Sequence, residues 1–469
     1  MKKLVLFLTT LALLFAACSK LRTVTSVHHT PLITKSTNTP YVVTEPMARA
    51  FVSFAYPEKQ IKTISQVQEG FKPLLWVINF DDGWVIISGD KRTNIVLSQC
   101  EEGEYVYGNS IPPVDVWMAG YANEVKEISQ SDWEGDTSSL SIWDAVWPIP
   151  IEIGHTTKAD EQGPIWVRTL LCQVNTLEAS EITPHLLDTK WGQHFPWNEN
   201  VPYYLDSTLS PQHFPAGCFA VSVGQILYYL HYKDGIPNGL YETVYNYHYL
   251  PSGGMNNNFQ HSNYVNNSNR WDYMANEYPS IKNYSYVADF LGDLGHAINV
   301  SYGINGSYAP FLPSAFTQLG LTCSNSVDFD FSTAFTEISN DYPVAICAAG
   351  YENMIAKYHA FVADGNITNH YRIDTYYEWH VYPDMAYIVN NNIPVYFYLT
   401  DEEMQTYDPD MYDGKQTMYS HYSTDTYLYM NWGYNGDYDN VLCGPISSLH
   451  HWSSNLNYDF DRTMIYNIR

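Results

Sequence analysis

Basic residues are scarce: Lys and Arg total 23 against 50 Asp and Glu in 469 residues, a formal net charge of -27. Phosphate backbones are gripped by Lys and Arg, so the deficit argues against nucleic acid as a partner. The negative balance suits a soluble, extracytoplasmic chain. Cysteine is also thinly spread, with seven residues at wide, irregular spacings and no CxxC pair. That argues against a zinc site. A chain this long does not need disulfide staples, although one bridge stays open. No HExxH, GxSxG or P-loop motif occurs. We therefore expect no metal and no cofactor. No stretch is apolar for long enough to span a bilayer.

What is present is a chain able to bury a large core. Hydrophobic residues make up 45% and aromatics 16%, with 41 Tyr and 13 Trp, which argues against disorder. Length alone suggests about two to three domains. At the N-terminus, Lys2 and Lys3 precede an apolar run from Leu4 to Phe15, then Ala16, Ala17 and Cys18. This reads as a signal peptide, residues 1–18. A Cys directly after Ala-Ala resembles a bacterial lipobox, although Phe15 replaces the usual Leu. Cys18 is then the expected lipidation site, anchoring the chain to the cell envelope without crossing the membrane. The rival reading is ordinary cleavage and secretion.

Residues 19–40, rich in Ser, Thr and Pro, read as a tether. A helix is expected around Met47 to Val52. Leu74 to Tyr105 reads as strands, turning at Asp81-Asp82-Gly83. Pro113 to Trp147 reads as helical. Together these make a small α+β domain over residues 41–150. Residues 151–182 are charged and weakly patterned, and are expected to be a linker. From residue 183 the order is helices first and sheet afterwards: a helix at Cys218, another over Val287 to Ile298, and a short third over Pro313 to Leu319. The strands "YPVAICAAG" and "KYHAFVADG" follow, then "YLYMNWGYNGDYDNVL" and a closing strand from Phe460. That order suits an α+β domain with a cleft between two halves.

Chemistry enters at "PAGCFAVSVGQILYYLHY", residues 215 to 232, where a small-residue turn runs into Cys218 at the start of an apolar helix. A thiol must ionise to attack, and both a helix N-terminus and an imidazolium favour that. His359 opens an apolar strand and is the best imidazole. Asn431 in "YMNWGYNG" could hold its second nitrogen, with Trp432 as shield. Gln193 in "WGQHFPWN" could donate to an oxyanion, paired with the Cys218 N–H. Alone, each is more often structural: a Cys in an apolar helix usually just packs, and an Asn-Trp pair in a turn is usually just a turn.

Taken in order, "WGQHFPWN", "GCFAVSVGQILYYLHY", "YHAFVADG" and "MNWGYNG" resemble the streptopain family of papain-like cysteine peptidases, from about Leu186 to the C-terminus. "WVIISGDKRTNIVLSQCEEGEY" looks like the inhibitory pro-domain that precedes such enzymes. The resemblance implies a papain-like fold of two subdomains and a peptidase without metal, made as a zymogen. It implies Cys218 as nucleophile, His359 as general base and acid, and Gln193 as oxyanion donor, with Asn431 and Trp432 supporting His359. The expected partners are a protein or peptide substrate and the chain's own pro-domain, with an activation cut in 151–182 and a peptidase domain over 183–469. The chain departs from the family in two places. Residues 366–426 are inserted between the His strand and the Asn-Trp turn, as a lid, a substrate-selecting loop or a contact surface. The family's second Trp is Tyr434 and one Gly is Asn435. The alternatives are a catalytically silent surface lipoprotein of the same fold, and a small-amide hydrolase or acyltransferase whose pocket the insertion closes.

Overall fold

A computed structural model describes residues 41–135, 137–147, 162–235, 246–249, 257–260, 268–280, 282–304, 306–352, 355–390, 397–407, 410–446 and 462–469. Cys18, the signal peptide, the tether and residues 148–161 lie outside the described residues.

The N-terminal domain opens with helix α1 (Glu45–Ala55), entered through Pro46, whose missing N–H costs nothing in a first turn. Four antiparallel strands follow: β1 (Ile61–Glu69), β2 (Lys72–Phe80), β3 (Trp84–Ser88) and β4 (Val96–Cys100). The Asp81-Asp82-Gly83 turn falls where expected, with Gly83 at φ 87°. Apart from Lys72, β2 is buried at every position, not at alternate ones. That pattern marks a strand covered on both faces. Trp76 and Ile78 pack against α1 and the helix α3 (Thr137–Val146) through Met47, Phe51 and Trp143. Leu75 and Val77 pack on the opposite side against α2 (Pro112–Gln130).

The C-terminal half begins with β5 (Gln162–Thr183), followed by the short pair β6 (Tyr203–Leu205) and β7 (Pro211–His213). Helix α4 (Cys218–Asp234) is buried from Phe219 to Tyr228, and ends at Gly235 in the left-handed region, whose N–H donates to the His231 carbonyl. Beyond it come β8 (Asn246–Tyr249), β9 (Asn257–Gln260), a helix at Ser285–Ala297 and β10 (Val327–Asp328). The remaining strands are β11 (Val344–Glu352), β12 (Ile355–Asp384), β13 (Phe397–Thr400), β14 (Gln416–Asn431), β15 (Leu442–Cys443) and β16 (Arg462–Ile465). The third expected helix is a single turn, Ser314–Thr317.

The two halves share one sheet. Its order is β1-β2-β3-β4-β15-β14-β12-β11-β16-β10, joined across the domains by β4 and β15 through Gln99 with Leu442 and Ser98 with Cys443. Along β11 and β12, alternate residues point to opposite faces. Ala345, Ala360 and Val362 pack on α4. Ile346, Ala348, Phe361 and Ala363 pack on α2 of the N-terminal domain. Trp117 of α2 is central there: its ring meets Phe361 at 5.8 Å and Trp432 at 6.4 Å. The Arg462 guanidinium lies 3.9 Å from its centroid and pairs with Glu124 at 2.9 Å.

Two sequence expectations change here. The stretch read as a linker is, over Gln162–Thr183, a long strand paired with β12 from Asn366 to Asp384 and with β13 from Phe397 to Thr400. Its partners lie far along the chain, and only its Ile165 and Val167 reach a core, with Met385 and Ile388. The local pattern therefore gave no strand signal. The insertion, in turn, is not a separate loop. It lengthens β12 and β14, which stay paired from Val362 with Asn431 to Glu378 with Gln416, with one register shift between Ala363 and Gly365. His359 is near the start of β12, and the strand covers about 60 Å of contour between it and Glu378. The arm thus grows along β12 away from His359.

Replacing Trp117 by Ala empties the seam between the domains. We expect a loss of about 3–5 kcal/mol, read as a lower urea midpoint of unfolding. An unchanged midpoint would show that α2 does not hold the sheet.

Candidate active site

Cys218 begins α4 because Gly217 directs it there. Gly217 has φ 97°, which a side chain would strain. The half-buried Cys218 thiol lies beside the Ala360 backbone N–H on β12, the residue next to His359. Helix, thiol and His strand therefore meet at one point. Burial pushes the Cys218 thiol above its ordinary range, while the N–H groups of Ala360, Phe219 and Cys218 itself pull the other way. Burial outweighs the helix terminus that the sequence suggested would ionise the thiol.

His359 is half-buried on β12, opposite Ala348 of β11. Its ring meets Tyr434 edge-on, with centroids 6.3 Å apart. Gln193 is 9% exposed, and its backbone carbonyl accepts from the Ala216 N–H at 2.8 Å, two residues before the thiol. Its side chain lies beside Tyr434. Tyr434 is pushed up to about 12, by burial first and then by the neighbouring Cys218. Tyr434 lies between the groups, with its ring on His359 and Cys218 as a neighbour, while strand alternation puts the His359 side chain on the face of Ala348 and Phe361, opposite the face of Ala360 next to the thiol. The sequence marked Tyr434 only as a replacement for Trp.

Asn431 and Trp432 are placed differently from expectation. Asn431 is 2% exposed, and its amide faces α4. Its Nδ2 donates to the Thr189 carbonyl at 2.7 Å, and its Oδ1 accepts from Gln225 Nε2 at 2.9 Å and from the Gly433 N–H at 3.2 Å. The amide is spent on these partners and not on the imidazole. Strand parity is the reason: Asn431 pairs with Val362, three residues from His359 and so on the other face. Trp432 points into the core shared with Trp117 and Phe361, and its Nε1 donates to the Tyr438 carbonyl at 2.9 Å. It packs on Phe361 at 4.7 Å, on the face of the His strand that His359 shares.

The residue missed in the sequence is Gln225, fully buried two turns along α4. Its Oε1 accepts from Thr189 Oγ1 at 3.0 Å and from the Trp191 N–H at 3.3 Å. Together with its bond to Asn431, this joins the Gln193 loop, the thiol helix and the end of β14. The signal was a lone amide in an apolar helical run. Asp364 of "YHAFVADG" makes a second tie. It lies 3.0 Å from His185 Nδ1, and accepts from the Leu187 N–H at its side chain and the Leu186 N–H at its carbonyl. That fixes the chain leaving β5. Cys347 on β11 is half-buried and pushed up to about 12, by burial and then by Cys218. Among the described residues no two cysteines form a disulfide, no cluster could hold a metal, and no helix is long and apolar enough to cross a membrane.

The sequence model of the family described as the Peptidase C10 family matches residues 191–441, more than half of the chain. The chain therefore belongs to that family, the streptopain family of papain-like cysteine peptidases, and is a cysteine peptidase of mixed helix and antiparallel sheet. Among solved structures it is similar to a prointerpain A fragment of Prevotella intermedia, at 17% identity over 87% of this chain and 98% of that one, with a TM-score of 0.46. It is also similar to active interpain A of Prevotella intermedia, at 16% identity over 61% of this chain and 94% of that one, with a TM-score of 0.35. No curated protein matches the chain.

Two outcomes test this geometry. Gln225→Leu removes the acceptor of the Thr189 hydroxyl and the Trp191 N–H, at about 1–3 kcal/mol for each orphaned group, read by urea unfolding; a negligible loss would show that Gln225 does not tie these segments together. In the intact chain, iodoacetamide should label Cys218 slowly at pH 7, with a rate rising about tenfold per pH unit towards pH 9. A rate already at its plateau at pH 7 would mean a standing thiolate.

Proposed function

We propose that this is an exported bacterial cysteine endopeptidase, made as a zymogen and held at the cell envelope by a lipid on Cys18. One observation carries the catalytic reading: the Cys218 sulfur at the head of α4 meets β12 beside His359, with Gln193 pinned next to it. In the active enzyme His359 takes the thiol proton, and the thiolate attacks the peptide carbonyl. The oxyanion is held by the Gln193 amide and the Cys218 N–H. Protonated His359 then donates to the leaving amine, and water releases the acyl group. The N-terminal domain, residues 41–150, acts as the pro-domain. Its α2 packs on Ile346, Ala348, Phe361 and Ala363, the sheet face that by strand alternation also carries His359.

The small-amide reading required residues 366–426 to close over the thiol. Strands that lead away from His359 lend it no support. The peptidase reading therefore leads.

Activation needs a cut between the domains. β5 is hydrogen-bonded along its length to β12, so we place the cut before Gln162 and expect β5 to stay with the enzyme. The test is to incubate the full chain beside Cys218→Ala, sequence the new N-terminus, and assay a peptide substrate. The wild type should gain activity with an N-terminus ahead of residue 162, and Cys218→Ala should stay below about 0.1% of that activity. A mature N-terminus within 165–183 would sink the retained strand. An active Cys218→Ala would sink the peptidase mechanism.

A further inference from the structure

The loop that carries Gln193 also carries an exposed aromatic side chain. Phe195 lies in the turn that the Trp197 N–H closes on the His194 carbonyl at 2.9 Å, and it is 58% exposed. Its ring meets two tyrosines edge-on, Tyr278 at 5.7 Å and Tyr284 at 6.1 Å, and these meet each other at 5.4 Å. Tyr278 is 48% exposed, while Tyr284, just before the helix Ser285–Ala297, packs on the core around α4. Main-chain bonds fix the two loops to each other. The Lys190 N–H donates to the Asn276 carbonyl at 2.6 Å, and Trp191 Nε1 donates to the Ala275 carbonyl at 2.7 Å. Large apolar side chains held together at the surface are the mark of a binding site.

Position says what binds there. Phe195 is two residues from Gln193, so their Cα atoms are at most about 7.6 Å apart. An extended peptide advances about 3.4 Å per residue. The second or third substrate residue from the scissile bond therefore comes level with the patch. The neighbouring turn gives the side. Asn435 Oδ1 accepts from Trp197 Nε1 at 2.7 Å, and Tyr434, the residue before it, lays its ring against His359. The Phe195 loop is thus joined to the side of the imidazole, which protonates the departing amine. We propose that Phe195, Tyr278 and Tyr284 form a specificity site for an aromatic or large apolar side chain two or three residues past the scissile bond, on the amine side of the substrate. Aromatic rings gain from edge-to-face pairing beyond the area they bury. The inference rests on Gln193 and His359 holding the catalytic roles proposed above.

The test uses the full chain after processing and internally quenched peptides of one sequence, varied at the second and third positions past the cut. The wild type should cleave the Phe peptides with kcat/KM about 5- to 30-fold above the Ala peptides. In Phe195→Ala, and separately in Tyr278→Ala, that ratio should fall to within about twofold of one. Two variants cover the case in which one fails to fold. Acyl transfer gives a second readout, because an added peptide amine can replace water in releasing the acyl group from Cys218 as an amide. A tripeptide amine with Phe second or third should capture more acyl group than its Ala counterpart in the wild type, and no more than it in the variants. No preference for Phe at these positions, a preference confined to the acyl side, or a preference that survives both substitutions would each overturn the proposal. So would an equal loss on a coumarin amide of the same acyl sequence, which ends at its leaving group short of the patch. If Gln193→Ala keeps full activity on that coumarin amide, the oxyanion assignment fails and the proposal with it.

Discussion

The Gln225 carboxamide is the interaction on which the site depends. It is buried in an otherwise apolar helix, where an unpaired amide is costly. Its acceptor and donor are both engaged, by Thr189 and Trp191 on one side and by Asn431 on the other. Three segments far apart in sequence are thereby set at fixed distances: the loop bearing Gln193, the helix bearing Cys218 and the strand end leading to Tyr434. A fully satisfied buried network of this kind specifies a unique arrangement more strongly than apolar packing alone. Gly217 then fixes where the thiol emerges, and the Ala360 N–H fixes what it faces.

The second constraint is the shared sheet. β11 and β12 are covered by α4 on one face and by α2 on the other, so their apolar residues run without alternation. The catalytic thiol belongs to the first interface. The packing of Trp117, Phe361 and Trp432 belongs to the second. A change at the second interface reaches His359 through its own strand, because Phe361 is two residues away. This makes the N-terminal domain part of the environment of the imidazole without contributing a group to the site of Cys218, Gln193 and Tyr434.

The arm made by β5, β12 and β14 changes how the insertion is understood. Extra residues between two paired strands can form a loop over the cleft, or they can continue the strands. Here they continue them, and β5 supplies the third strand that such an extension needs for independent stability. The segment between the domains is therefore tied to the insertion.

How much of this was legible in the sequence differs by element. The strands from Leu74 to Tyr105, the helix at Cys218 and the pairing of the "YPVAICAAG" and "KYHAFVADG" strands follow from local periodicity and turn residues, which act over a few neighbours. β5 did not, because a strand whose partners lie some two hundred residues away shows no local apolar period when only two of its residues reach a core. The same holds for Asn431: its place in the motif was visible, but the face it points to depends on its register with Val362. The chemistry of the chain, a thiol at a helix start with a His strand and a Gln loop, was determined by residue type and order. Which amide touches which ring, and whether burial or the helix terminus governs the thiol, was decided only by tertiary structure, since both depend on distances between groups that the chain brings together only on folding.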